Sequence, residues 1–231
     1  LVNALVCVKA AAAATNLELK LLDKERCDAI LAACDEVRAG QLHNQFVVDV
    51  IQGGAGTSSN MNANEVIANR ALELLGRARG DYAYLHPLEH VNLSQSTNDV
   101  YPTAVKVALH FEIRRLREAM AGLRLEFEIK AREFADVLKM GRTQLQDAVP
   151  MTLGQEFSTY AVMLAEDEER LREAALLIQE INLGATAIGT GINAPPEYAP
   201  RVCQHLRRIT GIDLVTAHNL VEATQDAGAF V

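Results

Sequence analysis

Apolar residues recur at three- and four-residue intervals over much of this chain, the period of helices that bury one face. Residues 1–14, rich in Ala and Val, read as a buried helix, although the pattern alone leaves a strand open. From Asp23 to Ala39 the case is firmer. Asp23 can cap the N-terminus, Cys27, Ile30, Leu31, Cys34 and Val37 share a face, and Gly40 ends the element. Two long seams follow. From Ala104 to about Met140, the residues Leu109, Ile113, Leu116, Met120, Leu123 and Phe127 alternate steps of four and three, and Phe134 continues the series. From Met151 to Ile181 the same rhythm runs through Leu153, Phe157, Tyr160, Leu164, Asp167, Leu171, Ala174, Ile178 and Ile181, with Pro102 and Pro150 near the two N-termini. Helices of about 30 residues reach roughly 45 Å and need equally long partners, which predicts an elongated bundle shared between subunits. Asp167 interrupts its seam and reads as a register-fixing or pairing carboxylate, inside a Glu166–Arg170 charge run that reads as a solvated face.

Between these segments lie polar, glycine-rich stretches. Residues 52–60 form one, feeding a helix that Asn62 would cap with Glu65 completing a capping box. Residues 182–191 form another, followed by a helix near Pro195 or Pro196 and a last one from about Ala217. Neither a repeat nor a linker interrupts the chain, so residues 1–231 read as one continuous helical region.

Composition sharpens this picture. The chain lacks Trp, is only 5% aromatic and is rich in Ala, Leu and Glu, a helical rather than a strand diet. With 22 Lys and Arg against 30 Asp and Glu the net charge is −8, which argues against a binder of nucleic-acid phosphates. Cys7, Cys27, Cys34 and Cys203 form no C-x-x-C pair and have no neighbouring His at metal-ligand spacing, as expected of reduced thiols. No apolar run reaches bilayer length and no signal peptide is recognisable, so a soluble, cytoplasmic protein without membrane contact is expected. Leu1 in place of Met, and an end at Val231 without a helix stop, suggest a piece of a longer protein.

Three segments concentrate hydroxyls and amides ahead of expected helices: Thr57–Asn60, Ser94–Asp99 and Gly141–Asp147. Free N–H groups and the positive end of the dipole suit a helix N-terminus to an anion, and three such loops in one chain point to a shared anion site rather than to simple caps.

The literal strings say more. Gly54-Ala-Gly-Thr-Ser-Ser-Asn-Met-Asn-Ala-Asn-Glu-Val66, His86-Pro, Gln95-Ser-Thr-Asn-Asp99, Gly141-Arg-Thr-Gln-Leu-Gln-Asp147, Pro150-Met-Thr-Leu-Gly-Gln-Glu156 and Gly184-Ala-Thr-Ala-Ile-Gly-Thr-Gly191 resemble the aspartase/fumarase superfamily in order and spacing, over nearly the whole chain. Ser58, Thr97 and Gln144 stand where class II fumarases typically carry Gln, Ser and His, so the resemblance leans toward the aspartate ammonia-lyase branch; Gln144 argues mainly against fumarase. Argininosuccinate and adenylosuccinate lyases are less similar in these loops.

The resemblance implies an all-α bundle of long helices, here its N-terminal and central part, in a homotetramer whose active sites combine loops from three subunits. It implies reversible elimination of ammonia from L-aspartate to give fumarate through an aci-carboxylate, with neither metal nor organic cofactor. By the same resemblance Thr57, Ser96 and Thr97 would donate to the substrate β-carboxylate. Asn98, Thr143 and Gln144 would position the amino group and remaining polar edge, and Asn60 would support them. Two features depart from the pattern. His86-Pro87-Leu88-Glu89 replaces the common His-Pro-Asn-Asp, which puts a second carboxylate site in doubt and leaves His86 as a structural residue. His218 likewise reads as a cap partner. The Gly-Ser-Ser-x-Met-Pro-x-Lys-x-Asn loop that carries the family's base and its α-carboxylate ligands occurs nowhere in the 231 residues, as a truncation upstream of it would explain. Two alternatives remain, a class II fumarate hydratase and a non-catalytic helical assembly fragment.

Overall fold

The computed structural model describes residues 1–49, 51 and 53–230. In chain order it contains α1 (Val2–Glu18), α2 (Lys24–Arg38), α3 (Thr57–Leu74), α4 (Thr97–Glu133), β1 (Leu138–Thr143), β2 (Gln146–Thr152), α5 (Leu153–Leu177), β3 (Glu180–Ile181), α6 (Tyr198–Thr210), β4 (Val215–Thr216) and α7 (Leu220–Gln225). The architecture is helical, as the composition predicts. No helix among the described residues is long and apolar enough to cross a membrane. The chain divides into two compact units, Leu1–Leu109 with Ile178–Val231, and His110–Leu177.

In the first unit α1 is buried on every side, from Ala4 to Ala13, which explains a sequence there that is apolar except for Lys9. It packs against α2, α3 and α6. The core joins Val6, Ala10 and Ala13 to Ile30, Ala33, Cys34 and Val37 of α2 and Ile67, Ala71 and Leu72 of α3, where small residues let helices approach closely. Asp23 caps α2 by accepting from the Arg26 N–H at 3.0 Å, as its position predicts. Arg70 on α3 clasps Glu36 on α2, one of its two bonds at 2.8 Å.

Several boundaries differ from the sequence reading. Helix α3 starts at Thr57, with Gly56 at φ +85° as its cap, so Asn62 lies inside the helix. Asn62 uses its side chain on a distant segment instead, accepting from Val47 and Val48 N–H at 3.0 and 3.4 Å and donating to the Gln45 carbonyl at 3.0 Å. A genuine capping box sits at the start of α4. The Ser96 hydroxyl accepts from Asn98 N–H at 3.3 Å, and Asp99 Oδ1 accepts from Ser96 N–H at 2.9 Å. Pro102 is therefore internal to α4. The Asn98 carbonyl four residues earlier, deprived of its usual partner by the proline, accepts from Asn182 Nδ2 at 3.0 Å instead. The predicted helical end at Ile181 is a strand residue of the parallel β3–β4 pair. Asn219, not His218, caps α7 by accepting from Val221 and Glu222 N–H, both at 3.1 Å.

The second unit contains the rest of α4, the β1–β2 hairpin and α5. Helix α4 stops at Glu133 rather than Met140, where its apolar rhythm ends, and Leu138–Thr152 forms an antiparallel hairpin with a bulge between Met140 and Arg142. Pro150 pairs with Met140 in this two-stranded ribbon, where one edge is always open, and so does not start a helix. Thr152 caps α5 in a second capping box: its hydroxyl accepts from Gln155 N–H at 3.1 Å and Gln155 Oε1 accepts from Thr152 N–H at 2.9 Å. The predicted seam residues Phe127, Phe134, Phe157 and Tyr160 meet, with ring centroids 5.3–5.9 Å apart. Asp167 pairs with Arg170 of its own helix at 2.7 Å.

Candidate functional site

Two helix N-termini converge in the first unit. A Cβ on Gly56, the cap of α3, would lie 2.3 Å from the Tyr101 ring, so only glycine admits this approach to α4. Asn60, in the first turn of α3 and fully buried, donates from Nδ2 to the Thr97 hydroxyl at the start of α4 at 3.0 Å. Both positive dipole ends and their free N–H groups thus serve the same neighbourhood.

Hydrogen-bond direction decides what the hydroxyls can do. Thr97 Oγ1 accepts from Asn60, and Ser96 Oγ accepts from Asn98 N–H, so each retains a proton to donate. Thr57 is exposed, and its hydroxyl donates to the Gly54 carbonyl at 2.8 Å. Asn98 is exposed and is held by a bond from its Nδ2 to the Ala187 carbonyl at 2.7 Å, within the glycine-rich 184–191 segment. Asp99 fixes that segment to α4: its Oδ2 accepts from Gly184 N–H at 3.0 Å and Thr186 N–H at 2.8 Å.

Sequence reasoning placed Thr57, Asn60, Ser96, Thr97 and Asn98 at two helix starts, and there they lie. The third segment differs. Thr143 ends β1 and Gln144 begins the two-residue tip of the hairpin, so this string precedes no helix. Both tip residues have positive φ, 49° at Gln144 and 62° at Leu145, as a type I′ turn requires, although neither is Gly or Asn. Leu145 is 97% exposed. Thr143 and Gln144 belong to the second unit.

The sequence reading missed the polar network behind Thr97. Lys9, on α1 and fully buried, donates to Asn92 Oδ1 at 2.8 Å and Gln95 Oε1 at 3.0 Å. Asn92 Oδ1 also accepts from Asn60 Nδ2 at 3.3 Å and Asn64 Nδ2 at 3.2 Å. Burial pushes Lys9 down to about 7 against the pull of Asp99, and pushes Asp99 up to about 6 against its three backbone donors. A single cation inside the apolar run from Leu5 to Ala14 was the available signal for Lys9, and Ser-x-x-Asp spacing was the signal for Asp99. Asn92 carried none. His86 caps a short turn of π-helix, its Nδ1 accepting from Leu88 and Glu89 N–H. The described cysteine thiols are unpaired and buried, and among the described residues no cluster of His, Cys, Asp or Glu is arranged to hold a metal ion.

Residues 2–231 match the family described as Lyase. The chain belongs to this lyase family. Its relatives place it in the aspartase/fumarase superfamily, as the motifs implied. It is 54% identical to the aspartate ammonia-lyase of Escherichia coli over 231 residues, all of this chain and 48% of that protein. It is 56% identical to that of Pseudomonas aeruginosa, over all of this chain and 49% of the relative. Among solved structures, a fumarate lyase:delta crystallin from Brucella melitensis superposes with a TM-score of 0.97 at 59% identity, covering 99% of this chain and 50% of the other. A class II fumarase from Schistosoma mansoni superposes at 0.91 with 36% identity, over 96% of this chain and 50% of the other. The lyase chain thus spans about half the length of the curated relatives it matches.

Proposed function

We propose that the whole protein is an aspartate ammonia-lyase, eliminating ammonia reversibly from L-aspartate to give fumarate. The observation that carries this reading is the Asn60–Thr97 bond, which leaves the Thr97 hydroxyl a donor where the α3 and α4 N-termini converge. The chemical difficulty is the weakly acidic C3 proton, whose loss puts a second negative charge on the β-carboxylate. Preoriented donors stabilise that charge more than they stabilise the ground state. Thr97 and Ser96 are assigned this task, joined by Thr57 when its hydroxyl turns from the Gly54 carbonyl to the substrate, and Asn98, Thr143 and Gln144 the amino group and remaining polar edge. The base and the α-carboxylate ligands are assigned to residues downstream of this chain, and the elimination calls on no cofactor.

Aspartate is preferred over malate because identity to the aspartate ammonia-lyases is 54–56% against 36% to the class II fumarase, and because Ser58, Thr97 and Gln144 are aspartase-like. The leucines Leu116 and Leu123, half-exposed in the single chain, support a homotetramer in which copies cover each other and complete each other's sites. We place the protein in the cytoplasm on the same family grounds. The test offers the full-length protein L-aspartate and L-malate and follows the ultraviolet absorbance of fumarate. Fumarate from aspartate with ammonia released is expected; fumarate from malate alone would make it a hydratase, and none from either would support the assembly-fragment reading.

A further inference from the structure

We propose that Lys9 is a positioning residue for this site, setting through Asn92 and Asn60 the direction in which Thr97 donates its proton. The proposal rests on the reading of the site as one for a dicarboxylate.

The argument is one of donor and acceptor polarity along a chain of hydrogen bonds. Lys9 Nζ gives its hydrogens to two oxygens, so Asn92 and Gln95 both turn their carbonyl ends toward it, at 2.8 and 3.0 Å. Both amides are held that way from behind. Asn92 Nδ2 donates to the Gln95 carbonyl at 3.3 Å, and Gln95 Nε2 donates to the carbonyls of Val91 and Leu93, both at 3.0 Å. With its oxygen so fixed, Asn92 can receive only the NH2 end of Asn60, at 3.3 Å, and that same NH2 group gives its other hydrogen to Thr97 Oγ1 at 3.0 Å. The Thr97 oxygen is thereby occupied as an acceptor and its proton must point away from Asn60.

A second observation bears on this polarity. The Oδ1 atoms of Asn60 and Asn64 are buried and have no hydrogen-bond partner. Such a group is costly. Turning the Asn60 amide over would let Oδ1 accept the Thr97 hydroxyl proton, but it would place two amide oxygens face to face at Asn92 and leave the NH2 group without the acceptors it has now. The bond from Lys9 Nζ holds Asn92 against that rearrangement. Lys9 forms no ion pair among the described residues, so its charge is directed into the two amide oxygens rather than neutralised by a carboxylate.

Without Lys9, Asn92 would lose the shortest of the bonds that fix its oxygen, Asn92 and Asn60 would be free to turn over, and the Thr97 proton would be captured inside the protein. The loss would fall on the charge-developing step more than on substrate binding. The test is a double-mutant cycle on the full-length protein with Lys9→Met and Thr97→Val, singly and together. We expect Lys9→Met to lower kcat about tenfold or more with little change in KM, and the double variant to be no slower than Thr97→Val alone, as for residues acting in one relay. Losses that multiply would overturn the proposal, since they would mean that Lys9 merely supports the fold. Should Lys9→Met be insoluble, Asn92→Ala, which breaks the relay at a half-buried position, takes its place in the same cycle. Fumarate binding by calorimetry separates the two failures. A wild-type protein that binds fumarate yet releases no ammonia would refute the aspartate reading, and the cycle is then scored on kcat for fumarate formed from malate; a wild-type protein that binds no fumarate overturns both.

Discussion

The two units solve the problem of burying apolar surface differently. In the first, Ile30, Ala33, Cys34 and Val37 interlock with Ile67, Ala71 and Leu72, and little of that surface is left over. In the second, the buried apolar side chains among the described residues are Ala161 and Ala175, while Leu116, Leu123 and Leu125 are each half-exposed. There α4 and α5 are held by the aromatic cluster, by the Arg124–Glu168 pair at 2.9 Å and by a close approach at Gly154, where a Cβ would lie 2.4 Å from the Ala131 carbonyl. The more regular heptad pattern thus belongs to the less buried unit. Heptad regularity predicts a helix and its sticky face, but it is silent about what covers that face.

The contrast can be broken most directly at paired apolar positions. Ile67→Ala should cost about 2–5 kcal/mol in chemical denaturation, because the cavity lies in a closed core. Replacing Leu116 and Leu123 by Gln should leave the circular dichroism of the full-length protein unchanged and reduce its assembled size in sedimentation. An unchanged size would mean that copies do not cover this seam.

The next effect is catalytic and belongs to the first unit. Thr97→Val should lower turnover by about 10² or more, as for loss of one preoriented donor, while the helical content by circular dichroism stays at the wild-type level. Near-wild-type turnover would remove Thr97 from the site.

The network behind it carries a pH signature of its own. Lys9 releases its proton near 7 in the folded protein against 10.5 ordinarily, so between these values the unfolded chain binds the extra proton. Stability should therefore rise with pH from about 7 toward 10.5, by at most about 1.4 kcal/mol per unit, and Lys9→Met should flatten that rise in denaturation curves. The smallest effect is local. Asn62→Ala should cost about 1 kcal/mol and speed hydrogen exchange at the Val47 and Val48 amides. No change there would mean that Asn62 does not hold the 45–48 segment.

Much of this was legible beforehand for a physical reason. Asp23 caps α2 and Phe127, Phe134 and Phe157 mark the helical seam because capping and heptads act within a few residues. The errors arose where a local pattern had a distant competitor. Asn62 had capping-box spacing but bonds the 45–48 segment, and Pro102 looked like a helix start until Asn182 supplied the donor that its carbonyl partner lacked. The Gly141–Asp147 string carried its family identity faithfully and its secondary structure not at all, since a type I′ tip of Gln144 and Leu145 contradicts turn preference.

The helical character of this chain, its membership of the lyase family and the position of Asn60, Ser96 and Thr97 at helix starts can all be read from the order of its residues. These follow from short-range periodicity and from strings that can be read in place. Only the tertiary structure decided which way those side chains donate. The bonds that do so join Lys9 to Asn92 across 83 positions, Asn92 to Asn60 across 32 and Asn60 to Thr97 across 37. A hydrogen bond's direction depends on what lies on its far side, and in this fold the far side is another helix.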